Sequence, residues 1–370
     1  MKQVRFASCL VDATSVRWLF MALVAAWLPV HAGDASGSAM ADEGAAIVTL
    51  PETRLPWSDF ASEAAQERFV RIQADARAGG VPAPGDLQAQ RSFYQRYNDA
   101  RLAEVRRLYA ADVRKDVLGG VPVHVVTPRG RGKSHEDARI LVNLHGGAFM
   151  WGSGSGALVE AIPVAAVSGM TVVAVDYRLA PEHPYPAAVD DVEAVYRSLL
   201  KRHRPESIGL YGCSSGGMLT AQAVARILQQ GLPRPGAVAT LCGTGLLYAG
   251  DSLTQAQLAT GAAPMVQGDM QRLAYLRTAR ADDPVAFPGN DAALLARFPP
   301  TLLMAGSRDF SVSTLTTMHR RLLGAGVDAD LVVFDGLWHA FLVFPDLPES
   351  KEAYTLVARF FDRYLGHAQR

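Results

Sequence analysis

Gly212-Cys213-Ser214-Ser215-Gly216 follows the apolar run 207–211 and opens a helical pattern that continues to residue 229. A strand that turns directly into a helix leaves no room for a β-carbon on either side of the turn residue, and glycines at both flanks meet that demand. The residue between them is displayed beyond the end of the strand in a strained backbone conformation, and here it is Ser214. The helix that follows aims its unsatisfied N–H groups at the same spot and favours negative charge there. The stretch therefore predicts an exposed serine nucleophile, with Ser215 heading the helix. Ser215 becomes the nucleophile only if the turn is shifted by one residue.

Outward from this turn the chain alternates between short apolar runs and helical spacing. β-rich runs occupy 121–127, 140–144, 171–175, 207–211, 237–241, 301–304 and 331–334, and helical patterns occupy 156–167, 187–201, 216–229, 312–323 and 349–364. Helices of that length are suited to crossing between parallel strands. Thr171-Val-Val-Ala-Val175 and Thr301-Leu-Leu-Met304 are continuously apolar, as expected where helices cover both faces of a sheet. The reading is an α/β fold with a mostly parallel sheet, which binds ligands at the carboxyl ends of its strands. With 370 residues, 49% of them hydrophobic, the chain can bury a large core, which excludes disorder over most of its length. Basic and acidic residues balance at 36 each, so no broad basic field exists to attract nucleic acid, and small neutral or weakly charged partners fit best.

A serine hydroxyl is a weak nucleophile at neutral pH and needs a base, usually histidine, steadied by a carboxylate. Of the nine histidines, His339 alone follows the last β-rich run in a loop ahead of the final helical pattern, Asp335-Gly-Leu-Trp-His339-Ala-Phe. Asp309 follows the 301–304 run through Ala305-Gly-Ser-Arg308 and gives the chain order Ser, Asp, His. Asp335 is the rival carboxylate, but its place before Gly336 suits a turn cap better.

Immediately after the 140–144 run comes His145-Gly146-Gly147-Ala148-Phe149, a loop able to point backbone N–H groups at a developing oxyanion. Gly146 and Gly147, with the amide of Ser215, are the candidate donors, and His145 reads as an orienting residue. Gly152-Ser-Gly154-Ser-Gly156 with Asp176 superficially suggests a dinucleotide fingerprint. The spacing argues against it, since seven residues separate Leu144 from Gly152 where the first glycine should follow the strand directly. Paired cysteines and His-x-x-x-His are also absent, so neither cofactor nor metal is expected.

The N-terminus carries Lys2, Arg5 and Arg17, the apolar run 18–30, then Val30-His31-Ala32, the pattern of a signal peptide over residues 1–32. The apolar run is shorter than the roughly 20 residues that span a bilayer, so the expectation is a secreted or periplasmic protein without a stable membrane anchor. Residues 33–50 read as a linker. Residues 51–112 read as a helical cap segment, with Ala65, Phe69 and Ile72, then Leu102, Val105 and Leu108, at helical spacing around Pro82-Ala-Pro84-Gly85. Residues 113–370 carry the catalytic alternation, interrupted at 243–299 by an insertion with Met270, Leu273 and Leu276 at helical spacing, which completes the cap. Cleavage removes Cys9 and leaves Cys213 and Cys242, which read as two buried thiols, with a bridge geometrically open.

His145-Gly-Gly-Ala-Phe149, Asp176-Tyr-Arg-Leu-Ala-Pro-Glu-His-Pro184, Gly212-Cys-Ser-Ser-Gly-Gly217 and Trp338-His-Ala-Phe341 together resemble the hormone-sensitive-lipase-like branch of bacterial carboxylesterases. The resemblance extends over roughly residues 55 to 366. It implies an α/β-hydrolase fold with an eight-stranded sheet and a helical cap built partly from the N-terminus. It also implies hydrolysis of short- to medium-chain carboxylic esters, without a cofactor, by Ser214, Asp309 and His339. Departures are Cys213 and Ser215 where the family usually has Asp and Ala, Ala148 in place of the third glycine, and Ser313 where a second acid is common.

Other readings remain open at this level. A lactone hydrolase, a sugar deacetylase or a lipase shares the machinery, because the cap chooses the substrate. A hydrolase-shaped ligand-binding protein is the alternative from another class, and such proteins usually lack a member of the triad. Residues 246–248 and 341–344 are candidates for an acyl pocket, although core packing accounts for them equally well.

Overall fold

A computed structural model of the chain describes residues 55–77, 82, 86–129, 139–260 and 273–366. The signal peptide, the linker, most of the Pro82–Gly85 cluster and Met270 lie outside the described residues. Within them the elements run, in order, α1 (Glu63–Arg77), α2 (Leu87–Leu108), β1 (Ala111–Leu118), β2 (Val121–Pro128) and β3 (Ile140–Leu144). Next come α3 (Ser155–Ser168), β4 (Thr171–Val175), α4 (Ala187–Leu199), β5 (Ile208–Cys213), α5 (Ser215–Gln229) and β6 (Ala237–Leu241). The chain ends with α6 (Asp251–Thr260), α7 (Ala292–Leu295), β7 (Thr301–Gly306), α8 (Val312–Gly324), β8 (Ala329–Phe334) and α9 (Pro348–Tyr364).

The strands form one eight-stranded sheet in the order β1-β2-β4-β3-β5-β6-β7-β8. β2 is antiparallel to both β1 and β4, and every other pair is parallel. β3, β5, β6 and β7 are buried along their whole length, in keeping with their predominantly apolar sequence. Two hydrophobic clusters result. One packs α4, α5 and α8 on one face, the other packs α3 and α9 on the opposite face, and each buried Val, Leu or Phe contributes about 1.5–3 kcal/mol.

The sequence reading begins the sheet after the helical segment 51–112, but β1 already starts at Ala111 and crosses that boundary. This edge strand carries Asp112, Arg114, Lys115 and Asp116 and is never fully buried, so no apolar run announces it. The insertion differs too. Leu276 belongs to a short 3₁₀ turn, Leu276–Thr278, and the described part of 243–299 otherwise holds α6, α7, a second 3₁₀ turn at Pro288–Asn290 and irregular chain. Its Leu246, Tyr248, Tyr275 and Phe287 are buried in the same core as the sheet. Among the described residues, no helix is long and apolar enough to cross a membrane.

The sheet register positions the loops that matter. Leu144 at the end of β3 is level with Gly212 on β5, so the 145–149 loop and the serine turn emerge side by side. Gly306 at the end of β7 is level with Phe334 on β8, so the loops bearing Asp309 and His339 emerge together. The N-terminal helices brace these loops. On α2, Arg91 donates to the carbonyl oxygens of Met150 at 2.9 Å and Ala180 at 3.0 Å and pairs with Glu182. On α1, the Phe69 ring lies 5.6 Å from that of Trp338, beside His339.

Candidate active site

Ser214 sits at the tip of the β5–α5 turn with φ 58° and ψ −123°, a conformation a non-glycine residue holds only where its surroundings enforce it. The enforcement is visible. The Ser214 N–H donates to the Leu241 carbonyl at 2.7 Å, and β3 presses against the turn so closely that a β-carbon on Gly216 would lie 1.8 Å from the Leu144 oxygen. A β-carbon on Gly212 would lie 2.3 Å from the same oxygen. Both glycines are thus required by the approach of one carbonyl.

The Ser214 hydroxyl is 2.8 Å from His339 Nε2, and His339 Nδ1 is 2.9 Å from Asp309 Oδ1. These distances define Nδ1–H as the donor to the carboxylate and leave Nε2 to accept from the serine. Asp309 is completely buried, and its Oδ1 also accepts the Ser311 N–H at 2.8 Å, which fixes the carboxylate plane. The Phe310 ring stacks on the His339 imidazole at 4.2 Å, and Tyr248 meets Phe310 edge-on at 4.9 Å. Sequence reasoning did not single out Phe310 as a support, and it weighed Tyr248 only as part of the 246–248 stretch offered for an acyl pocket. Asp335 is elsewhere, bonded to the hydroxyls of Ser58 and Ser307, which hold its carboxyl below the usual range. Ser313 exchanges hydroxyl–amide bonds with Ser252 at 3.0 and 2.9 Å, tying α6 to α8.

The 145–149 loop requires a correction. The Gly146 N–H does not face the reaction space, because it donates to Glu160 Oε1 on α3 at 2.8 Å. Gly147, Ala148 and Phe149 then take positive φ values of 123°, 52° and 62°, which turn the backbone over, and the amides of Gly147 and Ala148 have no backbone acceptor among the described residues. The donor set that geometry leaves available is Gly147, Ala148 and Ser215, the last being the first N–H of α5. Gly146 is still needed small, since a β-carbon there would lie 3.0 Å from the Cys213 oxygen. His145 is buried, with its ring stacked 4.2 Å from Tyr177 and its Nδ1 2.8 Å from the Gly146 oxygen, and burial pushes its basicity down. Tyr177 returns a hydrogen bond to the His145 carbonyl at 2.7 Å. The glycine-rich stretch after the loop serves structure too, with the Gly154 N–H donating to Asp176 at 2.8 Å.

Cys213 and Cys242 are both free thiols, fully buried and in hydrogen-bonding contact with each other. Cys242 Sγ, an Asp309 carboxylate oxygen and one His339 ring nitrogen lie within 4.8 Å of one another, but the imidazole is already committed to Asp309 and Ser214. A cavity of about 730 Å³ is lined by Leu246, Leu247, Leu276, Phe287, Thr314 and Arg321, among others. None of its lining residues belongs to the triad or to the 145–149 loop. Residues 246 and 247 therefore line a cavity, whereas Phe341, Leu342 and Phe344 are buried in the α3–α9 core cluster.

A serine, a histidine and an aspartate in mutual hydrogen-bond reach, on three loops at the carboxyl ends of a mostly parallel sheet, define an α/β-hydrolase-type site. Comparison with known proteins agrees: residues 141–343 match the alpha/beta hydrolase fold family. The chain belongs to that family, within its hormone-sensitive-lipase-like branch of carboxylic ester hydrolases. It is 28% identical to an acetyl-hydrolase of Streptomyces hygroscopicus over 63% of this chain and 78% of that one. It is likewise 28% identical to an acetyl esterase of Salmonella schwarzengrund over 76% of this chain and 88% of the relative. Among solved structures, the esterase E25 superimposes with a TM-score of 0.72 at 29% identity, covering 86% of this chain and 99% of that one. An esterase described as from the bacterial hormone-sensitive lipase family gives 0.70 at 27% identity, with 83% and 100% coverage.

Proposed function

We propose that the protein cleaves short- to medium-chain carboxylic esters through an acyl-enzyme formed on Ser214. His339 Nε2 takes the hydroxyl proton as Ser214 Oγ bonds to the ester carbonyl carbon, and the carbonyl oxygen becomes an oxyanion facing the Gly147, Ala148 and Ser215 amides. Asp309 keeps the imidazole in the tautomer that can accept this proton and offsets the imidazolium charge. The proton then passes to the departing alkoxide, the C–O bond breaks, and the alcohol leaves. Water repeats the sequence on the acyl-serine and releases the acid, so no step calls for a cofactor.

The observation that carries this reading is the unbroken relay Ser214–His339–Asp309 at 2.8 and 2.9 Å. A non-catalytic binding protein has no use for a strained serine hydroxyl held 2.8 Å from an imidazole nitrogen. The test is an acyl-chain series of p-nitrophenyl esters. Acetate and butyrate should be turned over at least about tenfold faster than palmitate, because each extra methylene that finds no pocket forfeits transition-state binding. Faster turnover of palmitate would replace the esterase reading with a lipase one, and no turnover of any ester would remove both.

Residues 1–32 act, on this proposal, as an export signal cleaved after Ala32. Its support is the basic start, the apolar run 18–30 and the small residue at the expected cut. N-terminal sequencing of protein recovered outside the cytoplasm should begin at Gly33, and an intact Met1 on that protein would refute export by cleavage.

A further inference from the structure

Glu160 is a carboxyl group in a place where carboxyls are seldom found. It sits on α3, 6% exposed, with Oε1 2.8 Å from the Gly146 nitrogen and Oε2 3.2 Å from Asn143 Nδ2. A third donor, the backbone N–H of Cys213, also reaches it. These three donors belong to β3, to the loop after β3 and to the last residue before Ser214. Gly146 itself is wedged between the carboxyl and the serine turn, since a β-carbon there would lie 3.4 Å from Glu160 Oε1 and 3.4 Å from the Ser214 β-carbon. Among the described residues, no cation acts on it. Three N–H groups converge on a group that accepts and does not repel them, which is the role of a carboxylate.

We infer that Glu160 is a positioning residue for the proposed ester cleavage: its carboxylate fastens the oxyanion loop to the nucleophile turn through Gly146 and Cys213. The assignment rests on the esterase reading above. With Gly146 N–H drawn down onto α3, the peptide chain reverses at Gly147 and Ala148 and presents their amides on the side of Ser214. The distance between those amides and the Ser215 amide is then constrained by the Glu160 side chain, which touches both loops, alongside Tyr177, which meets the His145 carbonyl and Ser215. The donors must lie about 2.7–3.1 Å from the oxyanion, and a shift near 1 Å is worth up to about 100-fold in rate.

Burial raises the Glu160 pKa to about 7. The other titratable groups facing it are Tyr177 from the chain after β4, Tyr211 and Cys213 from β5 and Tyr354 from α9, all pushed upward by burial and uncharged at that pH. His145 is kept neutral by burial as well. The sign for stability follows. An acid whose folded-state pKa is raised stabilises the fold below its unfolded value of 4.5 and loses that contribution as pH rises through about 7. The charged form that the loops need is therefore the form the fold tolerates least, the mark of a group kept for activity at the expense of stability.

The experiment compares wild type, Glu160→Ala and Glu160→Gln on p-nitrophenyl acetate, with thermal unfolding of each. Glu160→Ala should lower kcat about 10- to 100-fold with KM changed less than about threefold, because a displaced oxyanion donor is felt in the transition state only. Glu160→Gln keeps a carbonyl oxygen for Gly146 and should recover to within about fivefold of wild type. Above about pH 8 it should melt no lower than wild type, since it buries no charge, and its kcat should lose the ionisation near pH 7 that Glu160 contributes. A folded Glu160→Ala enzyme with wild-type kcat, or with its loss confined to KM, overturns the assignment. Should that variant not fold, the glutamine variant decides, and a kcat–pH profile identical to wild type between about pH 6 and 8 overturns it equally. Wild type inactive on every ester would sink the esterase reading instead, a result distinguishable from either.

Discussion

Ser214→Ala should lower kcat on p-nitrophenyl butyrate by about 10⁶-fold while leaving KM and the melting temperature nearly unchanged. The size follows from what the hydroxyl does. Without Oγ no acyl-enzyme forms, and His339 Nε2, 2.8 Å away, has no proton to take. The remaining amides still polarise an ester carbonyl, which leaves a residual rate of about 10³–10⁴ over water. The stability claim is separate. Alanine retains the β-carbon that already occupies the strained turn at φ 58°, so the backbone penalty is the same in both proteins and the difference should stay within about 0.5 kcal/mol. Because serine and histidine act as one unit, Ser214→Ala combined with His339→Ala should be little worse than either alone. Purified Ser214→Ala retaining more than about 1% of kcat would show that another nucleophile, Ser215 first among them, carries the reaction.

What the sequence made legible was whatever is enforced locally. Gly212 and Gly216 announce the turn because the Leu144 carbonyl forbids any side chain there, and that constraint is written in two letters. β3 and β5 announce themselves because burial on both faces demands predominantly apolar runs, broken in β3 only by Asn143. His339 and Asp309 were reachable through their loops following β8 and β7, since the sheet order makes those loops neighbours. The rest is set by partners far away in sequence. β1 hides because an edge strand is half solvated and its charged residues look like any surface segment. Gly146 and Gly147 are the same residue type one position apart, and only the carboxyl of Glu160, fourteen positions on, decides which amide is turned down and which is free. A lone glutamate in the otherwise apolar α3, Ser155–Ser168, was the available signal: a charge at a buried helix position needs a reason. Phe310 carried no such mark, because an aromatic residue beside a loop serves packing in most proteins.

Asp309→Ala should lower kcat by about 10⁴-fold, and Asp309→Asn by distinctly less. Both donors to this carboxylate, His339 Nδ1–H at 2.9 Å and the Ser311 N–H at 2.8 Å, converge on Oδ1, while Oδ2 is buried without a hydrogen-bond partner among the described residues. An asparagine can therefore place its carbonyl oxygen where Oδ1 stands and its NH₂ where Oδ2 stands, with no existing bond reversed. The imidazole keeps its tautomer and its direction, and what disappears is the negative charge that steadies the imidazolium as Ser214 loses its proton. Alanine removes charge and acceptor together. It strands the Ser311 N–H and frees the ring to place its proton on Nε2, the nitrogen that must accept, against only the stacking of Phe310 at 4.2 Å. The ratio of the two kcat values thus divides the work of Asp309 between holding the ring and stabilising its charge. Should asparagine prove as damaging as alanine, charge accounts for the whole effect, or else the amide has flipped and presents NH₂ to His339. A crystal structure of the asparagine variant that shows the Ser311 N–H still within about 3 Å of a side-chain oxygen would exclude the flip.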